Sequence, residues 1–155
     1  MRWAEIGEGI CSVSRTLSIV GDRWSLLIIR SAFLGTRKFS DFQSEIGLTR
    51  PRLSERLSKL VEHEVFHKVK YQENPVRYEY RLTDKGQDLY PIIVSMYTWG
   101  DKWVAGKNGK AMEYVHKSCG NKIVPIQACP DCAEVIAPND MVVQPGPAIK
   151  ALLSG

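Results

Sequence analysis

One segment of the sequence, from Gly35 to Thr83, constrains the fold more than any other. It places two short amphipathic helices, separated by a tight turn, directly before a basic strand–loop–strand. This order is typical of a winged helix-turn-helix, in which one helix enters a DNA groove and a hairpin lies beside it. The sequence therefore predicts an α+β fold whose central part is a DNA-binding domain.

The first helix of this segment is predicted from the residues at its two ends. Ser40 and Gln43 have the three-residue spacing of a capping box, which predicts Ser40 as the N-cap of the helix that follows. Gly47 suits its end, because glycine readily takes the left-handed backbone conformation that often terminates a helix. We therefore expect a short helix followed by a tight turn.

The second helix, predicted at about 49–63, is the candidate recognition helix for the major groove. Thr49 is its expected N-cap, and Pro51 falls in the first turn, where a missing N–H costs little. One face is apolar at helical spacing. The other face carries the candidate DNA-contacting residues Thr49, Arg50, Arg52, Ser54, Glu55 and Lys59. Arginine near a helix start can bond phosphates or a guanine edge, although an ordinary solvated helix face is the alternative.

A basic hairpin is predicted at about 65–82, immediately after that helix. Its first strand alternates in part, its turn from Gln72 to Pro75 has turn-forming composition, and its returning strand is rich in aromatics. Lys70 and Arg77 on this hairpin are candidates for contact with the DNA backbone or the minor groove. A plain surface hairpin is the alternative, which the helix–helix–hairpin order disfavours.

Four separated motifs occur in order along this part of the chain. They are GDRWSLLIIR at 21–30, GTRKFSDF at 35–42, LSERL at 53–57 and NPVRYEYRLTDKG at 74–86. Together with Trp99-Gly100 farther on, they resemble the HxlR family of bacterial winged-helix regulators from about Cys11 to Trp103, roughly two thirds of the chain. The resemblance implies a homodimeric, sequence-specific transcription regulator that binds double-stranded DNA. Within the second motif, Arg37 and Lys38 join the candidate DNA-binding residues.

Helices are also predicted on both sides of the winged helix. Two apolar helices precede it, and one long helix from about Asp84 to Val104, capped by Thr83, follows it. The long helix carries an apolar stripe at three- and four-residue steps: Leu89, Ile92, Ile93, Met96, Trp99 and Trp103. This stripe and the first helix favour self-association into a homodimer, and folding back of the tail over the stripe is the alternative.

The last part of the chain is expected to form a unit of its own. We predict a winged helix-turn-helix domain with dimerisation helices at 1–105 and a small β-rich extension at 106–155. The extension carries four potential metal ligands in two pairs, His116 with Cys119 and Cys129 with Cys132. Two such pairs in tight turns are typical of one structural zinc per chain, as in a zinc ribbon. A metal-free tail with reduced cysteines is the alternative.

Cys11 lies apart from these pairs, at the start of the first predicted helix. A helix N-terminus lowers the pKa of a thiol and favours the reactive thiolate. The family resemblance adds that some such regulators sense quinones, aldehydes or oxidants through a cysteine near this point. Cys11 is therefore a redox-sensing candidate, with a small electrophile as effector, and a small buried hydrophobe is the alternative.

Composition and the lack of other motifs reduce the number of functional classes to which the protein could belong. The net charge of +4 permits nucleic-acid binding without demanding it. The charged start of the sequence and the short apolar runs predict a cytoplasmic protein with no membrane partner. No phosphate-binding glycine loop or nucleophile motif occurs, so we expect no enzyme. An effector-binding or protein-interaction module that uses its winged helix for docking is the alternative function.

Overall fold

The computed structural model describes residues 5–107, 109–110 and 112–154 and has an α+β architecture. Its elements, in chain order, are α1 (Ser12–Val20), α2 (Arg23–Phe33), α3 (Phe39–Ile46), α4 (Arg50–Glu62), β1 (Phe66–Gln72), β2 (Arg77–Leu82), α5 (Asp84–Gln87), α6 (Tyr90–Trp103) and α7 (Pro147–Leu153). The chain divides into two compact units, and the boundary between them lies between Ile93 and Val94. None of the helices within the described ranges is long and apolar enough to cross a membrane.

Caps fix the ends of the helices in the first unit. Asp22 caps α2 by accepting hydrogen bonds of 3.0 Å from the N–H groups of Trp24 and Ser25. Gly47 ends α3 in the left-handed conformation, with φ 73°, as the sequence predicts. Thr49 is the N-cap of α4, as predicted, although its side chain makes no capping hydrogen bond.

The predicted beginning of α3 at Ser40 is wrong. Lys38 is the N-cap, and its carbonyl accepts a hydrogen bond from the N–H of Asp41. The physical reason is that Lys38 has an extended backbone and forms a bridge with Glu79 of the hairpin, so the helix begins directly after it, at Phe39. The Ser40 hydroxyl donates to the neighbouring Asp41 carboxylate and caps nothing.

The core of the first unit joins α2, α3, α4 and the start of the hairpin. Its fully buried side chains include Ile28, Ile29, Phe42, Leu53, Leu57, Leu60 and Phe66. The rings of Phe42 and Phe66 pack edge to face with centroids 6.3 Å apart, which joins α3 to β1. Because the three leucines of α4 recur at helical spacing, their burial turns the polar face of α4 to the surface.

The predicted hairpin forms as β1 and β2, which pair antiparallel and which we call the wing. Phe66 lies opposite Leu82, and Lys68 lies opposite Tyr80. The wing is tied to the segment before α3, because the N–H of Tyr80 donates to the carbonyl of Arg37 over 2.8 Å. Helix, turn, helix and wing therefore form the predicted winged helix-turn-helix.

The prediction of a single long helix from Asp84 to Val104 is wrong in one respect. The structure has two helices there, α5 and α6. Thr83 caps α5 by accepting from the N–H of Gly86, as predicted. Pro91 explains the break after Gln87, since proline has no N–H to bond the carbonyl four residues earlier and its ring clashes with that carbonyl. A helix that restarts at Tyr90 places Pro91 in its first turn, where neither cost applies.

The second unit runs from α6 into a segment with little buried surface. The rings of Tyr97 and Tyr114 pack edge to face with centroids 5.0 Å apart. From residue 112 to 154, the described side chains are exposed except for those of Tyr114, Cys129 and Ile136, which are half-buried. The β structure of this stretch is limited to two isolated bridges. The boundary at 105 and the zinc-ribbon fold stay predictions.

Candidate nucleic-acid interface

The N-terminal turn of α4 presents two exposed guanidinium groups. Arg50 and Arg52 are both exposed, and the first turn of this helix contains no acidic residue. Arg50 stacks over the ring of Phe39, with its guanidinium carbon 5.6 Å from the ring centroid. Among the described residues, neither arginine lies within ion-pair distance of a carboxylate. Two uncompensated cations and the positive end of the helix dipole make this turn favourable for an anion.

Farther along α4, the predicted contact residues Ser54 and Glu55 are also exposed. The Glu55 carboxylate lies 3.5 Å from Arg56, whose guanidinium also lies 3.6 Å from Asp22. Arg56 therefore faces the α2 cap, whereas Ser54 and Glu55 are exposed. Four of the residues predicted on α4 are thus open to solvent: Arg50, Arg52, Ser54 and Glu55.

Lys59, the last predicted contact on α4, is oriented differently. Its ammonium group donates to the carbonyl of Ser18 over 2.8 Å, and the residue is only half exposed. This bond joins α4 to α1 across the first unit. Lys59 therefore has a structural partner in the free protein, which sequence spacing alone could not reveal.

The wing carries the other predicted basic contacts. Arg77 is exposed at the start of β2, and Lys70 is exposed on β1, where its ammonium lies 3.1 Å from the Glu73 carboxylate. Arg81 is held by Glu79 at 3.0 Å. Of these three cations, Arg77 is therefore the one that no described carboxylate neutralises.

Arg37 and Lys38 lie between α2 and α3 and differ in their surroundings. The Arg37 guanidinium donates to the carbonyls of Ala32 and Thr36, which ties it to the end of α2. Lys38 is exposed, and its ammonium lies 5.0 Å from the ring centroid of Tyr71 on β1. Lys38 is thus open to a ligand beside the wing, whereas Arg37 is engaged in holding the backbone.

The carboxylate of Glu45, which the sequence did not single out, ties α3 to α2. Glu45 of α3 accepts from the Arg30 guanidinium at 2.8 Å, from the Ser31 hydroxyl at 2.9 Å and from the Thr36 hydroxyl at 2.8 Å. These donors lie in α2 or just after it. No spacing signal identifies them, because the contacts connect residues up to fifteen positions apart.

Cys11 is the N-cap residue of α1, and its thiol is exposed. The thiol makes no capping hydrogen bond, but the nearby backbone N–H and then the hydroxyl of Ser14, followed by the N–H of Val13, favour the thiolate and lower the pKa of Cys11. The thiol is therefore accessible and has more thiolate character than an ordinary cysteine. The alternative of a small buried hydrophobe does not describe this position.

The four predicted zinc ligands occur as two separate close pairs. His116 Nδ1 lies 3.3 Å from Cys119 Sγ. Hydrogen bonds from the N–H of Cys132, the N–H of Asp131 and the Cys132 thiol lower the pKa of Cys129. In the part of the chain that the structure describes, no group of three metal-ligating side chains comes together.

Comparisons with known proteins agree with this geometry. The family model described as HxlR-like helix-turn-helix matches residues 19–108. An uncharacterized HTH-type transcriptional regulator of Mycobacterium tuberculosis H37Rv is 42% identical over 143 residues, which cover 92% of this chain and 90% of the relative. The HTH-type transcriptional regulator YodB of Bacillus subtilis is 30% identical over 100 residues, 63% of this chain and 89% of YodB.

Solved structures give the same result. PA1607, described as a candidate transcription factor, superposes with a TM-score of 0.80 at 33% identity. The match covers 92% of this chain and 99% of the PA1607 chain. The redox regulator HypR in its oxidized form superposes with a TM-score of 0.56 at 29% identity, covering 59% of this chain and 96% of HypR. The chain belongs to the HxlR-like helix-turn-helix family and is a transcriptional regulator, not an enzyme.

Proposed function

We propose that this regulator is a homodimer that binds a specific duplex DNA sequence, with α4 in the major groove and the wing along the sugar-phosphate backbone. The observation that carries the proposal is the pair of exposed guanidiniums, Arg50 and Arg52, at the acid-free N-terminal turn of α4. Arginine forms bidentate bonds with guanine or with phosphate, so these two side chains suit the reading end of a recognition helix.

Contacts that position the protein would come from the neighbouring groups. The Thr49 hydroxyl makes no cap bond within its helix, and the first backbone N–H groups of α4 have no intrahelical acceptors, which suits a phosphate at this end. Lys38, Lys70 and Arg77 are exposed on or beside the wing. They would bind phosphates without regard to sequence, because a phosphate contact carries no base information.

The homodimer is inferred from large apolar side chains that are exposed in the described part of the chain. On α6, Trp99 is 61% exposed and Trp103 is 65% exposed, one turn apart on the same face. On α1, Val13 is 67% exposed. Large exposed aromatics on a helix face are typical of an interface, and a twofold dimer would present two recognition helices to a palindromic site.

DNA binding is tested by fluorescence anisotropy with duplexes from the intergenic DNA beside the gene, at several salt concentrations, against a scrambled duplex. Arg52→Ala should weaken specific binding by about 1–3 kcal/mol and reduce the preference over the scrambled duplex. Lys85→Ala is the matched control, because it removes one exposed positive charge on α5. Absence of salt-dependent binding in the wild type, or equal effects of the two variants, would contradict the proposal.

Dimerisation has its own test, sedimentation of Trp99→Glu at micromolar concentration. The variant should be monomeric because a carboxylate cannot be buried there without a partner. Val143→Glu is the control, since Val143 is 95% exposed outside the helices. A wild type that is monomeric under these conditions would overturn the homodimer.

We further propose that Cys11 makes this regulator responsive to electrophiles. Its exposed thiol, its place at the N-terminus of α1 and its lowered pKa support this role, as does the similarity to the redox regulator HypR. In the step proposed, the Cys11 thiolate adds to a ring carbon of a quinone and forms a C–S bond. The ring takes up the electron pair and a proton, which leaves a hydroquinone thioether.

A further inference from the structure

Two turns in the second unit have the same backbone structure, thirteen residues apart. We call residues 114–123 the first knuckle and residues 127–136 the second knuckle. Each is closed by an isolated antiparallel bridge, Val115 with Lys122 in the first and Ala128 with Val135 in the second. Each bridged residue of the second knuckle lies thirteen positions after its counterpart in the first.

The hydrogen bonds of the two knuckles also correspond one to one. In the first, the N–H of His116 donates to Asn121, that of Gly120 donates to His116, and that of Ile123 donates to Tyr114. In the second, the matching bonds run from Cys129 to Glu134, from Ala133 to Cys129 and from Ile136 to Gln127. All six N···O distances lie between 2.8 and 3.0 Å.

The potential ligands occupy the same two places in both knuckles. His116 and Cys129 are the first residues of the matched turns, and Cys119 and Cys132 are three positions later. In the first knuckle the two donor atoms, His116 Nδ1 and Cys119 Sγ, already lie 3.3 Å apart. Such a turn brings two soft donors to one side of the backbone, as chelation by a pair requires.

The second knuckle keeps this geometry at a cost. Ala133 has φ 60°, whereas the matching position in the first knuckle is Gly120, with φ 71°. The left-handed conformation costs an alanine roughly 1–2 kcal/mol. Strained backbone of this kind persists where other interactions stabilise it. From residue 112 onward no described side chain is buried, so an apolar core does not supply that stabilisation.

We propose that the two knuckles bind one structural zinc ion per chain, through the imidazole of His116 and the thiolates of Cys119, Cys129 and Cys132. The knuckles have to approach each other as the metal binds, because in the described residues the two pairs do not meet. Zinc binding is thereby coupled to local folding, and the metal takes the place of a core that this short segment lacks. Four protein ligands leave no open position for a reactive water.

The test is the zinc content of untagged, reduced chain purified without chelator, measured by elemental analysis together with a cobalt(II) titration of the stripped protein. We expect about one zinc per chain and the strong thiolate absorption of tetrahedral cobalt. Cys129→Ser and Cys132→Ser should lose most of the metal. Cys11→Ser is the matched control and should keep all of it, since it removes an exposed thiol outside the knuckles.

His116→Cys supplies a second control, because a fourth thiolate should retain the metal, whereas His116→Ala should weaken its binding. Circular dichroism of each variant shows that the helical first unit remains folded. Less than about a tenth of a zinc per chain after reconstitution would overturn the site. A zinc content that the Cys129 and Cys132 variants leave unchanged would overturn it equally. Half an equivalent per chain, shared between two copies, would overturn the arrangement within one chain.

Discussion

Arg56 of α4 lies 3.6 Å from the carboxylate of Asp22, the residue that caps α2. The two side chains are 26% and 20% exposed, so the ion pair is partly shielded from water. The same carboxylate accepts bonds from the N–H groups of Trp24 and Ser25 and from the Ser25 hydroxyl. A helix cap and the orientation of α4 therefore depend on one carboxylate.

Removing this carboxylate should destabilise the first unit. Asp22→Ala loses the cap, and we expect the free energy of unfolding to fall by about 1 kcal/mol, within the range measured for N-cap truncations. Asp22→Asn keeps a capping oxygen and should cost less. Urea unfolding at pH 7 measures both values, with Asp88→Asn, an exposed carboxylate on the surface, as the control. Equal stability of Asp22→Ala and wild type would contradict the assignment.

The same residue gives a prediction for acid pH. Burial raises the pKa of Asp22, but the hydrogen bonds from Ser25 and Trp24 and the charge of Arg56 outweigh it and hold the pKa below its usual value. A pKa lower in the folded state than in the unfolded state contributes stability above about pH 3.9, which is lost as the pH falls through the folded pKa. Wild type should therefore lose more stability than Asp22→Asn between pH 5 and pH 3, as measured by urea unfolding at each pH.

Glu45 should anchor α3 through its three donors on or after α2. Glu45→Ala leaves the Arg30 guanidinium without its carboxylate, while the Ser31 hydroxyl keeps the Leu27 carbonyl as an acceptor. We expect a loss of about 1 kcal/mol, because the ion pair is about one third exposed and only partly shielded. A double-mutant cycle with Arg30→Ala should give a coupling energy of at least about 0.5 kcal/mol. Glu62→Ala, an exposed carboxylate at the end of α4, serves as control. Additive effects of Glu45→Ala and Arg30→Ala would show that the contact contributes nothing.

Two lysines should respond in opposite ways. Lys70→Ala should reduce the slope of log affinity against log salt by about 1 and leave stability unchanged, as expected of a phosphate contact. Lys59→Met should leave the slope unchanged and lower the free energy of unfolding by about 1 kcal/mol, because it loses the bond to the Ser18 carbonyl. A salt titration and a urea titration of each variant decide between these assignments. A reduced salt slope for Lys59→Met would mean that this lysine turns outward on DNA.

Reaction with a quinone should change DNA binding through Cys11 alone. Reduced, zinc-loaded protein treated with a benzoquinone should lose affinity for its duplex, and intact-mass analysis should show one added quinone per chain. Cys11→Ser should bind DNA normally and resist the treatment, because the oxygen nucleophile that replaces the thiolate is far weaker. Ser12→Ala is the matched control, because it alters an exposed side chain at the start of α1 and keeps every thiol, and it should respond like wild type. Equal loss of binding by wild type and Cys11→Ser would remove Cys11 from the mechanism.

Much of the winged helix could be predicted from local signals in the sequence. Gly47 and Pro51 mark a helix end and a helix start by backbone chemistry, and the leucines at 53, 57 and 60 define a buried face. Such features act within a few residues of themselves, so they are visible in the sequence. The wing was predictable for the same reason.

The errors arose where distant residues decide the outcome. Lys38 pairs with Glu79, forty-one positions away, and this contact moved the start of α3 away from Ser40. The Lys59 bond to Ser18 was not predicted for the same reason, since it also spans forty-one positions. The break before α6 is different, because Pro91 is a local signal in the sequence and its effect follows from proline chemistry. The apolar stripe continues across Pro91, and by itself it predicts one unbroken helix.

The matching knuckles have a consequence for how this region can vary among relatives. Their intervening residues are Lys117 and Ser118 in one and Pro130 and Asp131 in the other, yet the backbone bonds are the same. The conformation therefore requires particular side chains at few positions. In relatives, we expect the spacing of the ligands and the residue with positive φ to be kept in this extension, while almost every other residue is replaced. Distant relatives would then be recognised by that spacing long after overall identity has faded.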